Sequence, residues 1–231
     1  PTPWILGILG RVGTGPTTAV GQTVLMRLWP RSRADPLVDE LVKALDAGRV
    51  KAGSVARHLY SSDSSVLQGG RAGVVCFPEN TAEVSACIHA ARRHGRAFVP
   101  RGAGTGLAGG AVPCDDPVVI VTTRMDRILD VDVDRRTAWV EPGVVNLDLS
   151  RHLAGTGLHF APDPSSQKAC SLGGNIAENA GGPHCLAYGT TTNHVLGMEV
   201  VLEDGSIVYL GSQARETPGY DLRGVFTGSE G

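Results

Sequence analysis

The sequence predicts a mixed helix-and-strand fold in two lobes, residues 35–124 and 125–231, and three observations carry that reading. A strand pattern, a capped amphipathic helix and a second strand run from residue 73 to residue 99. Two strand–turn–strand patterns follow, at 128–140 and 195–210. Before the second half comes a loop at 100–110, Pro-Arg-Gly-Ala-Gly-Thr-Gly-Leu-Ala-Gly-Gly, with five glycines and one arginine.

Residues 1–34 mix Gly, Pro and Arg without a sustained period and are expected to be a poorly ordered leader. Asp35 suits an N-cap and Pro36 a first helical position, with Leu37, Leu41, Val42 and Leu45 on one face and Gly48 as the stop. Gly73 to Phe77 read as a buried strand. Asn80, with Glu83 three positions on, caps a helix whose apolar stripe is Val84, Cys87, Ile88 and Ala91 and which Gly95 ends. Strands at 97–99 and 118–122 enter and leave the glycine loop. Beyond Met125, Ile128 to Val133 and Thr137 to Val140 flank Asp134-Arg135-Arg136 as a hairpin. Asn146 to Leu153 form a short helix, and Leu158-His159-Phe160 read as a strand. Val195 to Leu202 and Ile207 to Leu210 make a second hairpin about Glu203-Asp204-Gly205.

The loop sets the chemistry. Glycine lets backbone N–H groups approach a ligand closely, and those amides, with the Arg101 guanidinium and no acidic side chain before Asp115, predict an electropositive cradle for a diphosphate. Gly104-Thr105-Gly106-Leu107-Ala108-Gly109 also fits G-x-G-x-x-G, the dinucleotide pattern of a nicotinamide-binding fold. That fold needs a helix to start at the third glycine. Pro113 and Pro117 bracket a turn into the apolar run Val118 to Val121, which leaves no room for one.

A second glycine-rich segment, 162–189, is filled with small and hydrogen-bonding residues. Its amides and its Ser and Asn side chains suit a large planar ligand with a polar edge and a ribityl-like chain, and an extended dinucleotide would span both segments. Cys170 is open to a packed role or to covalent attachment of the ligand, and Tyr188 to a place bordering it or in the core. Cys170, His184, Cys185 and His194 lack the tight paired spacing of a metal site, so none is expected.

With 231 residues, 42% hydrophobic, the chain can bury a real core, and a net charge of −2 with interspersed signs disfavours nucleic acid. The five cysteines are scattered without a C-x-x-C pair. Reduced, mostly packed thiols and a cytoplasmic location are expected. No apolar run reaches the roughly 20 residues of a membrane span. The opening at Pro1 and the turn-like close at Gly228 to Gly231 suggest a fragment.

The chain resembles the FAD-linked oxidases of the vanillyl-alcohol-oxidase type, and among them the branch of the glycolate oxidase FAD subunit and D-lactate dehydrogenase. The matching strings are residues 100–107, Glu141 to Val144, Ala161 to Ser166, Gly173 to Gly182, Tyr188-Gly189, Gly219 to Leu222 and Gly228 to Gly231, in the family's order. The resemblance implies an α+β fold in two subdomains, of the FAD-binding PCMH type, agreeing with the lobes above. It implies that Arg101, Gly102, Ala103, Gly104, Thr105 and Gly106 hold the FAD diphosphate. Pro162, Asp163 and the stretch Ser171, Gly173, Gly174 and Asn175 would line the flavin and ribityl chain. Asn179, Ala180, Gly181, Val195, Glu230 and Gly231 would meet the rest. Thr105 stands where covalently flavinylated relatives carry a His, so FAD is expected to be non-covalent. A substrate-covering domain and a His-rich, metal-associated segment are implied beyond Gly231, so no catalytic residue is assigned here. The implied activity is oxidation of a small 2-hydroxy acid such as glycolate or D-lactate. The alternative is a non-catalytic flavin-holding subunit or domain, without turnover of its own, that passes electrons to an iron–sulfur partner or serves only as a cofactor platform.

Overall fold

The computed structural model describes residues 35–67, 69–212 and 219–231. The leader expected at 1–34 lies outside the described residues. Helix α1 (Pro36–Leu45) begins as its cap requires, with the Asp35 carboxylate accepting from Leu37 N at 3.1 Å, and it buries Leu37, Leu41 and Leu45. It ends before the expected Gly48. Asp46 takes φ 94° and its carboxylate accepts the Gly48 and Arg49 N–H groups at 2.7 and 3.2 Å, so a local side-chain turn replaces the last helical turn.

Strand β1 (Val50–Lys51) and helix α2 (Ser54–Leu59) follow, neither expected from the sequence. Strand β2 (Val74–Cys76) leads to helix α3 (Thr81–Arg93), where Asn80 Oδ1 accepts from Glu83 N at 3.0 Å and Gly95, at φ 62°, terminates the helix. The Glu83 carboxylate also binds the Arg49 guanidinium at 2.5 Å, tying α3 to the start of β1. Strands β3 (Phe98–Arg101) and β4 (Val118–Val121) complete a sheet of order β1-β2-β4-β3. Both β2 and β3 run parallel to β4, and β1 is antiparallel to β2. A sheet covered on both faces calls for continuous apolar strands, which Val-Val-Cys and Val-Val-Ile-Val supply. Val74, Cys76, Val118 and Ile120 pack with α1 and α3, while Val75, Val119 and Val121 pack with Ala72, Tyr60 and Phe77.

Strands β5 (Ile128–Asp132) and β6 (Thr137–Val140) form the first hairpin, with Arg136 at φ 55° in its turn. Helix α4 (Asn146–Leu153) matches its expected bounds and packs Leu149 and Leu153 with Val144 and Leu172. The strand expected at 158–160 is absent. Leu158 N donates to Thr156 Oγ1 and Phe160 N to Ser150 Oγ, so side chains rather than a neighbouring strand satisfy that backbone. The glycine-rich segment contains two unanticipated short helices, α5 (Leu172–Ala177) and α6 (Cys185–Tyr188).

Strands β7 (Gly197–Val201) and β8 (Ile207–Gly211) form the second hairpin and helix α7 (Leu222–Phe226) follows. The hairpin docks on α3. Ser85 Oγ donates to Gly205 O at 2.6 Å, Arg92 Nη1 donates to Glu203 O at 3.1 Å, and Val201 packs against the apolar cluster beneath α1 and α3. Cys76, Cys87 and Cys170 are buried, as expected of packed thiols, Cys185 is partly buried, and Cys114 is exposed; all five are free.

Candidate functional site

The loop begins where the β3–β4 ladder ends, at the pair Arg101 and Val121. Arg101, expected in the loop, is the last residue of β3, paired in register with Val121. Gly104 and Gly109 adopt φ 73° and 89°, which favour glycine, and no helix starts at Gly109. Gly104 O accepts from Ser64 N at 3.1 Å and from Ser64 Oγ at 3.2 Å. Arg101 Nη1 donates to Ser62 O at 2.8 Å and more weakly to Ala111 O at 3.4 Å, and the guanidinium lies 5.2 Å from the centre of the Tyr60 ring. Burial pushes its pKa down, opposed by Tyr60 and Asp63. Arg101 pairs with no carboxylate among the described residues, so one cation remains beside the loop uncompensated by a direct ion pair.

Backbone N–H groups without a partner in the chain are left to bond water or a ligand. The N–H groups of Ala103, Thr105, Gly106 and Leu107 make no hydrogen bond within the described residues. Unpaired amides on a glycine loop beside a guanidinium fit a diphosphate, whose oxygens accept from both. Cavities of about 210 and 270 Å³ open on either side of Ala103, the first towards Val144, Asp148 and Ser171, the second towards Leu59, Tyr60 and Val121.

The two glycine segments meet. A Cβ on Gly102 would collide with Ser171 Oγ, and the same hydroxyl caps α5 by accepting from Gly174 N at 3.3 Å. Gly173 N donates to Pro142 O at 2.8 Å, and a Cβ on Gly173 would fall 2.9 Å from that oxygen, so the glycine permits the close crossing. Asn175 is turned inward. Its side chain is buried, Oδ1 accepting from Asn146 Nδ2 at 2.8 Å and Nδ2 reaching Cys170 Sγ at 3.3 Å, and its N–H bonds to Ser171 O. Cys170 is buried in this network. The Pro162 carbonyl accepts from Asn146 Nδ2 at 3.0 Å, and Asp163 Oδ2 meets His184 Nδ1 at 2.5 Å. That hydrogen bond holds the Asp163 carboxyl below the usual carboxylate range.

Asn179, at φ 48°, accepts from Thr192 N at 2.9 Å, Ala180 O accepts from Thr191, and Gly181 packs on Cys185. The Val195 carbonyl is taken by Arg223. Gly231 packs near Pro100 and Ala177, which brings the Gly-Ser-Glu-Gly turn to the base of the loop. Tyr188 is half exposed, with its ring near His159 and His184, which removes the core alternative. His194 Nε2 lies 2.9 Å from Tyr188 O. Among the described residues no cluster of three His, Cys, Asp or Glu could hold a metal ion.

The purely electropositive cradle needs correction. Glu178 Oε1 lies 2.9 Å from where a Gly106 Cβ would stand, Glu230 lies against Gly110, and Asp63 is close enough to act on both Arg101 and Glu178. Burial against the loop and a hydrogen bond to Glu230 push the Glu178 pKa up. These carboxylates come from distant parts of the chain, so charge counted along the loop could not show them. Asn146 was missed too, since an Asn opening a helix looks like an ordinary cap.

A cofactor-holding α+β domain, with a loop cradle in place of a helix terminus, is the class that this fold and site define. The chain belongs to the FAD binding domain family, whose profile matches residues 72–211, and its cofactor is FAD. It is 47% identical over 172 residues to "Glycolate oxidase subunit GlcD" of Escherichia coli K12, covering 74% of this chain and 34% of that protein. It is 42% identical over 159 residues to "D-lactate dehydrogenase" of Archaeoglobus fulgidus, covering 68% and 35%. The chain thus spans about a third of the length of these relatives. Among solved structures, alkyldihydroxyacetonephosphate synthase superposes with TM-score 0.76 at 22% identity, over 86% of this chain and 38% of that one. The 4-ethylphenol oxidase of Gulosibacter chungangensis gives 0.71 at 24%, over 83% and 39%. The fold is the α+β FAD-binding fold of the vanillyl-alcohol-oxidase (PCMH) type. No helix of the described residues is long and apolar enough to cross a membrane.

Proposed function

We propose that this chain holds the FAD of an oxidoreductase that oxidises a small 2-hydroxy acid, with glycolate and D-lactate the first substrates to test. The observation that carries the cofactor's position is the row of unpaired amides at Ala103, Thr105, Gly106 and Leu107 beside Arg101. A bound FAD would supply the two-electron acceptor for a hydride leaving C2 of the acid. The residues of this chain bind and orient. Loop amides and Arg101 meet the diphosphate in the cleft between residues 35–124 and 125–231. Pro162, Asp163, Ser171, Gly173 and Gly174 line the flavin and ribityl side, and Asn175 supports them from behind. Asn179, Ala180, Gly181, Val195, Glu230 and Gly231 face the remainder. Thr105 offers no imidazole for attachment, so FAD is held non-covalently.

The substrate class rests on relatives named for glycolate and D-lactate. The test is the visible spectrum of the full-length protein under anaerobic conditions. Bleaching of the flavin band by glycolate or D-lactate supports the reading, and a flavin that neither acid reduces sinks it. A second reading is favoured by the word "subunit" in the name of the GlcD relatives: the chain works as a flavin carrier beside an iron–sulfur electron acceptor. Under that reading, reduction by the acid still occurs but turnover requires a copurifying iron–sulfur protein.

A further inference from the structure

We infer that Asn146 is a positioning residue for the flavin pocket, setting the spacing between its two proposed walls. The inference rests on the assignment of Pro162, Asp163 and Ser171 to Gly174 as those walls. Asn146 opens α4 outside both glycine-rich segments, yet it is 1% exposed and its amide faces both. The two hydrogens of Nδ2 match two acceptors, the Pro162 carbonyl at 3.0 Å and Asn175 Oδ1 at 2.8 Å. Asn175, itself 3% exposed, closes the network by reaching Cys170 Sγ at 3.3 Å.

The backbone reinforces the clamp. Asn146 N donates to Cys170 O at 3.0 Å, Leu147 N to Gln167 O at 3.0 Å, and Leu172 N to Val144 O at 2.8 Å. These bonds zip the start of α4 along the segment that runs into α5. The turn bonds Gln167 N to Pro164 O and Cys170 N to Ser166 O shape the chain between the Pro162 corner and α5, and among the described residues the Asn146 side chain is the one that bonds the Pro162 carbonyl and the Asn175 side chain together. Pro162 leads into Asp163, whose carboxylate holds His184 and whose carbonyl packs against Gly182. A displacement at Asn146 would therefore move Pro162, Asp163 and the turn at 182–184 together, away from the Ser171 turn. An apolar side chain of the same size fills the volume but leaves the Pro162 carbonyl and the Asn175 amide without their donor, so the walls lose their common reference.

The test uses the FAD-loaded full chain with Asn146→Leu, which removes both donors, and Asn146→Ser, which is smaller and keeps one. For each, the FAD dissociation constant, the flavin absorbance and fluorescence spectrum and the thermal midpoint are measured. The expected results are at least a tenfold weaker FAD affinity and a shifted flavin band in Asn146→Leu, with partial recovery of both in Asn146→Ser. Should Asn146→Leu not fold, Asn146→Ser alone still decides, because its flavin band must shift relative to the unaltered chain. A lowered thermal midpoint with unchanged affinity and spectrum in the folded fraction overturns the inference and leaves Asn146 a packing residue. Ser171→Ala and Asp163→Ala are the companions. If they alter the flavin band and the Asn146 variants do not, the positioning role fails alone; if none of the four does, the pocket assignment itself has failed.

Discussion

Strand β4 and the turn into α5 are both buried, and they are held by opposite means. In β4 all four side chains are apolar and at most 2% exposed, and its backbone is bonded on both edges. Around α5, beside Leu172 in its small apolar cluster, the buried groups are Ser171, Asn175, Asn146 and a thiol, and the order of these polar groups comes from directional hydrogen bonds. Apolar packing tolerates small readjustments, whereas a buried polar network must close completely or lose its advantage. The sheet thus gives the molecule its stability, and on the proposed assignment the polar turn gives the cofactor pocket its dimensions.

The sharpest way to break that division is to damage the sheet side alone. Leu41→Ala, at a fully buried position in α1, should lower unfolding free energy by about 2–5 kcal/mol in urea denaturation while the folded fraction keeps its FAD affinity. A large loss of FAD affinity in folded Leu41→Ala would show that the two regions are not separable. Next in size, Arg101→Ala should weaken FAD retention by roughly 1.5–3 kcal/mol, read by equilibrium dialysis, with little effect on the sheet. Gly104→Val should do at least as much harm, because φ 73° disfavours a β-branched residue and its Cβ would strike the Arg101 guanidinium.

Glu178 sharpens the comparison through pH. Its folded pKa is raised, so its contribution is complete below the unfolded carboxyl value and is lost as pH rises through the folded value. Glu178→Gln should therefore raise the thermal midpoint near neutral pH relative to the unaltered chain and bring no gain near pH 4. The smallest effect is expected at Glu141, whose buried carboxylate accepts from Arg127 Nη2 at 2.6 Å and is held below the usual range. Its contribution is present above the unfolded carboxyl pKa and lost as pH falls through the lowered folded value. Glu141→Gln should flatten the acid limb of a stability–pH curve, and an unchanged limb would refute the assignment.

Legibility in the sequence follows the same divide. The β2-α3-β3 unit was readable because apolar period, an Asn80 cap and a Gly95 stop agreed, and α4 because its helical pattern and packing coincide. Gly102, Gly104 and Gly106 were readable as a loop with special backbone demands. Leu158-His159-Phe160 misled, because an apolar triplet looks like a strand until its backbone finds Ser150 and Thr156 instead. Glu178 and Asn146 were not singled out, and Glu230 was legible as part of the Gly-Ser-Glu-Gly string but not as a carboxylate lying against Gly110. Their importance arises from neighbours that lie 16 to 120 positions away in the chain, and no pattern within a short window encodes that.

The docking of the β7–β8 turn on α3 also dictates how the polypeptide must mature. Val201 and the Gly205 carbonyl complete a surface whose other half was made more than a hundred residues earlier. During synthesis, α3 therefore waits with Ser85 and the adjoining apolar groove uncovered until the late hairpin emerges, a closure of high contact order and hence slow. Chaperone capture of nascent chains should concentrate in that interval.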